Sequence, residues 1–529
     1  MTNPKVRSAW SPLQYQAFKT LWIASLVSNI GTWLHNTGAS WLMTELTPSP
    51  TVVALLQTAT SLPIVLLALP AGSLADVVDR RTMLLWTQVW MLIVAVSLAV
   101  SDLMGLIDAP LLLGFTFALG IGNALHRPVW QAVIPELIPR EELSNAIALG
   151  GVSINLARAV GPALGGIIVA SAGVSAVFLL NAVSFGGMII AIYRWQESPR
   201  QNSYLPEQII GAMITGVRYV RYAPELKAVL IRAAAFIFCG TAFWALLPIV
   251  ARQELKLDAL GYGMITGAVG IGALIGATIL PKIRQRWSLN ALVAIATLIY
   301  AGGMLALAYL RSVPLLLVLS LFVWVAWITL MSSFNLAAQV VLPAWVRARG
   351  LAAYLIAFQG GMAAGGLVWG AVASRTGTSE AIAIAAVGLI LGLALSLRYQ
   401  LSEDNLDLSP SLHWSEPTVA MALRPDDGPV LITVRYQIKP ETKTEFIRAT
   451  KKLEYIRRRD GAYHWQLYSD IAHPHCYFET FVSYSWIEHL RQHDRFTITD
   501  RAIEERVRSF HVGEKPPSVS HLLAISDSK

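Results

Sequence analysis

Apolar runs of about 20 residues, each long enough to cross the hydrocarbon core of a bilayer as one helix, recur as far as Tyr399. Short polar segments join them. Residues 18–43, 51–75, 82–104, 110–134, 144–170, 174–194, 225–250, 260–281, 289–310, 314–340, 348–373 and 379–399 give about twelve such crossings. With 55% hydrophobic and 14% charged residues, the chain is far from the balance of an average soluble domain. Residues 400–529, by contrast, are ordinarily polar and charged. The expected architecture is an all-α polytopic membrane protein in two six-helix halves, followed by a soluble α+β domain. It divides into a leader at 1–17, a first bundle at 18–194, a linker at 195–224, a second bundle at 225–399, a second linker at 400–428 and a terminal domain at 429–526.

Lysine and arginine in the short joints set the orientation. They crowd the leader (Lys5, Arg7, Lys19) and the even-numbered joints (Arg80 and Arg81, Arg140, Arg218 and Arg221, Lys282 and Arg284, Arg347 and Arg349). The odd-numbered joints offer only Arg252, Lys256, Arg311 and Arg375. Both termini are therefore expected in the cytoplasm, and the leader, which lacks a small-residue cleavage site, is read as uncleaved. The net charge of +8 follows from this topology and argues against a nucleic-acid partner. Cys239 lies in a span and Cys476 in the terminal domain, so no disulfide framework is implied.

Two strings nearly repeat across the halves, Gln131-Ala-Val-Ile-Pro135 and Gln339-Val-Val-Leu-Pro343, as expected of a membrane protein built twice. After the second span comes Gly72-Ser-Leu-Ala-Asp76-Val-Val-Asp79-Arg80-Arg81. It resembles the Gly-x-Leu-Ala-Asp-x-x-Gly-Arg-Lys/Arg signature of the major facilitator superfamily, with Asp79 in place of the second glycine. The resemblance implies a latch at the cytoplasmic gate, in which Gly72 allows close helix approach and Asp76 pairs with Arg80 or Arg81. In the fifth span, Gly161-Pro162-Ala-Leu-Gly165-Gly166 is similar to a motif of drug antiporters in that superfamily. Proline bends the helix and glycine lets a neighbour pack closely. The strings from Pro128 to Ala146, Leu342 to Arg349, Asn181 to Phe185 and Phe358 to Gly361 resemble the bacterial branch of transmembrane secretion effectors and enterobactin-exporter-like proteins. What the resemblance implies is a secondary-active exporter in a bacterial inner membrane. It would be driven by an ion gradient, with H+ as the coupling ion, and would move a small amphiphile such as a drug or siderophore by alternating access. The alternative is a bifunctional protein whose terminal domain senses or modifies a ligand that the membrane half transports. No P-loop occurs, so an ATP-driven pump is disfavoured, and neither a cofactor nor a metal is expected.

Ionisable groups inside spans are functional candidates by default. Arg158 lies mid-span, where it binds an anionic substrate group, tunes a neighbouring proton carrier or ties helices together. His35 with adjacent Asn36, and Arg127 lower in the fourth span, complete the candidates. No Asp or Glu lies inside a span, so proton coupling is expected through His35, Asp76 or a carboxylate at a span end. Trp33, Trp41, Phe243, Trp244, Trp324, Trp327, Phe334 and Trp369 suit an amphiphilic ligand and suit lipid equally.

Between the halves, residues 207–221 show apolar spacing of helical period with basic residues toward the end, which predicts an amphipathic interfacial helix. The terminal domain alternates as strand 429–438, helix 441–458, strands 462–468 and 476–483, helix 486–509 and strand 518–524. That order is ferredoxin-like. It resembles the antibiotic-biosynthesis-monooxygenase type of dimeric α+β barrel, and the resemblance implies a regulatory or dimerising module. Fold alone assigns no chemistry, and no enzyme activity is expected. The strings Arg458-Arg-Asp460-Gly-Ala-Tyr-His464-Trp465 and Ser485-Trp486-Ile-Glu-His489-Leu-Arg-Gln-His493 resemble those appended to this exporter branch. His489 and His493 stand four apart, but are read as a polar helix face pairing with Glu488 and Asp494 rather than as metal ligands.

Overall fold

The structure, a computed structural model, describes residues 10–195, 209–402, 406–414 and 422–525. The first half comprises α1 (Gln16–Leu46), α2 (Pro50–Val77), α3 (Arg80–Leu103), α4 (Ala109–Val133), α5 (Leu143–Ala172) and α6 (Val174–Arg194). A shorter α7 (Ile209–Tyr222) follows, where an amphipathic helix was expected. The second half holds α8 (Pro224–Ile249), α9 (Ala259–Arg284), α10 (Leu289–Tyr309), α11 (Val313–Val340), α12 (Arg347–Thr376) and α13 (Thr378–Gly392), with the short α14 (Leu395–Arg398) at its end. Local chemistry sets many of these boundaries. Asp79, Asp108, Asp258 and Ser288 each accept a backbone N–H in the first turn of the helix they precede, and Gly173 and Gly377 take positive φ at tight helix junctions. Pro63, Pro70, Pro128 and Pro162 lie inside helices, which a membrane bundle tolerates because neighbouring elements absorb the lost hydrogen bond.

Among the described residues, ten helices are long and apolar enough to cross a membrane. The crossings expected at 18–43 and 260–281 fall on α1 and α9, which do not join that set. Asn29, Thr32, His35, Asn36 and Thr37 dilute α1, and part of α9 beyond Gly272 has side chains outside the described residues.

The chain forms two compact units. One is Met1–Leu205, Ile231–Phe334 and Leu355–Gln400; the other is Pro206–Leu230, Asn335–Tyr354 and Leu401–Lys529. In the first unit, α1 packs on α5 and α6, α2 on α4, and α3 on α4 and α6. Trp86 and Val183 stand 72% and 71% exposed, side chains that need lipid rather than water around them.

The second unit is built on the terminal domain. Its strands β1 (Val430–Gln437), β2 (Tyr463–Ser469), β3 (Cys476–Ser483) and β4 (Ser518–Leu523) form one antiparallel sheet in the order β2-β3-β1-β4. With α15 (Lys443–Asp460) between β1 and β2, and helices between β3 and β4, this is the ferredoxin-like arrangement. Alternate β1 residues Val430, Ile432, Val434 and Tyr436 face a core with Phe446, Leu453, Phe481 and Phe496. The single helix expected at 486–509 is instead two, α16 (Trp486–Arg495) and α17 (Ile498–Arg508). Thr497 and Asp500 form a reciprocal capping box that starts a new helix there, and capping chemistry overrides a continuous helical period.

Candidate functional site

The fifth-helix motif builds the site because each of its glycines removes a side chain where another helix must pass. A Cβ on Gly161 would lie 2.4 Å from that of Trp33, one on Gly165 would lie 3.1 Å from that of Thr37, and one on Gly166 would lie 2.8 Å from Gly263 Cα. Thus Gly161 and Gly165 admit α1, and Gly166 admits α9. One turn before Gly161, the Arg158 guanidinium lies 5.6 Å from the ring centroid of Trp33. Trp33 in turn meets Trp244 of α8 at 6.5 Å, which is how the first half reaches the aromatic cluster of the second. There, Trp244 and Trp324 lie 4.4 Å apart, with Trp327, Phe243, Tyr300, Phe236 and Phe334 around them.

Two features make this cluster receptive. The indole N–H groups of Trp244 and Trp324 are buried without a hydrogen-bond partner among the described residues, a costly state unless something else accepts from them. Arg127, exposed on α4, lies close enough for its charge to act on half-buried Arg158. Two cations, two free donors and several ring faces therefore line one region of a membrane unit, with no ion pair to Arg127 or Arg158 among the described residues. His35 is buried on α1 against Phe178, its ring nitrogens without hydrogen-bond partners among the described residues, and Asn36 beside it is half-buried.

The halves meet along two seams. On α5 and α9, a Cβ on Gly270 would fall 1.6 Å from Ala159 Cα, so backbones touch there. On α2 and α12, Thr51 Oγ1 donates to Gly370 O at 3.0 Å and Thr58 Oγ1 to Ala363 O at 2.7 Å, while the Thr51 and Ser374 hydroxyls are 2.7 Å apart. Gly270 and Ala159 meet near the middle of their helices, while the α2–α12 contacts and the meeting of Gly166 with Gly263 lie toward the end of the bundle where α2 and α9 begin and α5 and α12 finish. At that end α8 unwinds into a π-helical turn, Val250–Glu254. Its Arg252 pairs with Glu45 at 3.5 Å and covers Trp41, Gln253 donates to Pro48 O at 3.2 Å, and Glu254 pairs with Arg311 at 2.9 Å.

A family described as transmembrane secretion effector matches residues 7–529. The chain belongs to this family. Similar proteins include the staphyloferrin A transporter of Staphylococcus aureus, 21% identical over 57% of this chain and 76% of that protein. The multidrug efflux pump Tap of Mycolicibacterium fortuitum is 24% identical over 62% and 81% of the two chains, and the enterobactin exporter EntS of Salmonella typhi 23% over 61% and 77%. Solved structures show the fold. A bacterial homologue of the human lysosomal transporter Spinster matches with a TM-score of 0.60 at 14% identity, over 73% of this chain and 97% of that one. A bacterial homologue of the iron transporter ferroportin matches with a TM-score of 0.55 at 15% identity, over 73% and 98%. With the family match and these relatives, the chain is a multi-pass membrane transporter of the major facilitator superfamily.

Its signature between α2 and α3 departs from a loop. α2 runs on to Val77, so Gly72 and Asp76 are helical, although their side chains lie outside the described residues. Asp79, in the place of the signature glycine, caps α3 by accepting from Thr82 N at 2.7 Å. Arg80 donates to Ala132 O at 2.8 Å and pairs with Glu136, while Arg81 donates to Ile192 O at 3.3 Å. These arginines tie α3 to α4 and α6 of its own half. In the terminal domain, the histidines expected on a polar face are instead in an aromatic cluster: His489 is 3% exposed, with His521 at 4.9 Å, His493 at 5.1 Å and Trp486 at 5.6 Å. Apolar packing takes precedence because α16 turns this face to the core. Burial, then the neighbouring His493 and His521, lowers the His489 pKa to about 3. No cluster of three or more metal-ligating side chains occurs among the described residues. The sequence marks Arg158 as a charge within a span but leaves Trp33 and Trp244 among aromatics that suit ligand and lipid equally, and no local pattern signals the tie between Arg252 and Glu45.

Proposed function

We propose that this chain exports a small amphiphile bearing an anionic or acceptor-rich group across a bacterial inner membrane, driven by an ion gradient. Arg158 carries the reading: it is a mid-span cation on a tryptophan face, beside a second cation, with the unpartnered indoles of Trp244 and Trp324 nearby. A cation buried in a membrane without a counter-ion is costly unless a ligand supplies the charge. The aromatic walls receive the apolar part of the substrate. The relatives described as a multidrug efflux pump, a macrolide efflux protein and an enterobactin exporter support export as the direction. Under the positive-inside rule both termini are cytoplasmic, so the two seams and the Arg252–Glu45 pair close the outer end. Opening them while the opposite end closes is the alternating-access step. Coupling to H+ runs through His35, through Asp76 or through a carboxylate at a span end, and Arg80 and Arg81 hold the first half rigid while it moves.

Inverted vesicles under an imposed pH gradient test this with paired fluorescent amphiphiles of opposite charge. The anionic dye accumulates preferentially. Arg158→Ala inserts normally and transports it at least ten-fold more slowly, whereas Arg158→Lys retains a measurable rate. Wild-type rates in Arg158→Ala would reduce the arginine to scaffolding.

A further inference from the structure

The strings singled out in the terminal domain and in the joint before α12 find no use in transport chemistry, yet within the second unit they meet. A small core joins Tyr219 of α7, Ala223 and Leu226 at the start of α8, Val341 and Leu342 after α11, and Val346 before α12. Gly216 keeps α7 bare where Arg349 passes, since a Cβ there would lie 3.2 Å from the arginine Cβ. Tyr219 donates to Val341 O at 3.2 Å and its ring meets Trp345 edge-on.

The terminal domain closes over this core with the residues of its two strings. Arg458 covers Tyr222 at 5.8 Å and Arg459 covers Tyr219 at 5.6 Å. Arg459 is fixed for that contact by ion pairs to Asp460 at 2.8 Å and Asp500 at 2.6 Å. Arg495 covers Trp345 at 4.9 Å while donating to Asp460 O at 2.7 Å and pairing with Glu488. Glu488 also pairs with Arg218 of α7 at 3.3 Å, both side chains largely buried. Gly461, at φ +141, ends α15 beside this group; a Cβ there would press on Glu488 and Arg495. Paired, desolvated charges of this kind fix geometry because either one alone is costly.

We propose that the terminal domain is an internal clamp: its Arg458-Arg459-Asp460-Gly461 turn and Glu488–Arg495 pair grip α7 and Trp345, holding the adjoining ends of α8, α11 and α12 as one body. Those three helices belong to the second half, so the clamp makes that half move as a piece. Only this last consequence rests on the transport reading.

Hydrogen exchange on the full chain in lipid nanodiscs, with transport measured in parallel, tests the clamp. Arg218→Glu and Trp345→Ala each raise exchange across 214–222 and 341–349 at least ten-fold, leave 476–483 protected and slow transport several-fold. Arg218→Lys retains wild-type behaviour, as does Lys227→Glu, an equal charge reversal at an exposed position. Unchanged exchange across 341–349 in both disruptive variants would overturn the clamp, and raised exchange with wild-type transport would overturn its role in moving the half. If the wild-type chain transports no probe, the exporter reading fails while the exchange result still decides the clamp.

Discussion

Glu504 shows how single residues set the pH response of the terminal domain. Burial pushes its carboxyl up, but Arg457, Arg508, His413 and Trp414 outweigh that and hold it at about 2. Its folded pKa is below the ordinary 4.5, so its stabilising contribution is complete above pH 4.5 and disappears as pH falls toward 2. His489 has the same sign over a higher window: with a folded pKa of about 3 against 6.5, stability drains away as pH falls from 6.5 toward 3. Asp460 opposes them. Burial, partly offset by Arg459, raises it to about 6, so folding takes up its proton and gains stability as pH falls from 6 to 3.8. At pH 5 the His489 contribution amounts to a loss of about 2 kcal/mol. His489→Gln therefore narrows the difference between urea midpoints at pH 7 and pH 5, read by dithiodipyridine labelling of buried Cys476 in the full chain carrying Cys239→Ser. An unchanged difference would remove His489 from the account.

Helix pairs respond to a methyl group. On α9, Gly270 touches Ala159 of α5, whereas a Cβ on Gly302 of α10 would meet nothing within 4 Å. Gly270→Val is expected to force the seam apart and lower transport at least ten-fold, while Gly302→Val leaves it at the wild-type rate. Equal rates in the two variants would deny the seam a function. Elements of this kind are legible in sequence where they depend on near neighbours. Runs of apolar residues located most spans, and alternation from Pro429 to Ile438 located β1. The break at Phe496 was hidden because Trp486 to Ser509 keeps a helical period through it, and only the cap formed by Thr497 and Asp500 interrupts the backbone. Asp79 illustrates a substitution whose purpose needs coordinates: as a departure from a signature it reads as a defect, and as a helix cap it is sound chemistry.

For the whole molecule, the informative contacts span the chain. Arg218 finds Glu488 and Thr51 finds Ser374, partners hundreds of positions apart that no periodicity connects. The candidate site was half legible for the same reason: Arg158 stands out as a charge within a span, but the tryptophans that frame it come from α1, α8 and α11 and stand out only once those helices are packed. The central claim is that the halves part and rejoin across the seam of α2 and α12 in every transport cycle. Thr51→Cys with Ser374→Cys, at positions whose hydroxyls lie 2.7 Å apart, tests it in a chain without Cys239 and Cys476. Oxidation is predicted to cross-link the pair in membranes and stop transport, and reductant to restore it. Transport at the uncross-linked rate with the disulfide fully formed would contradict the account.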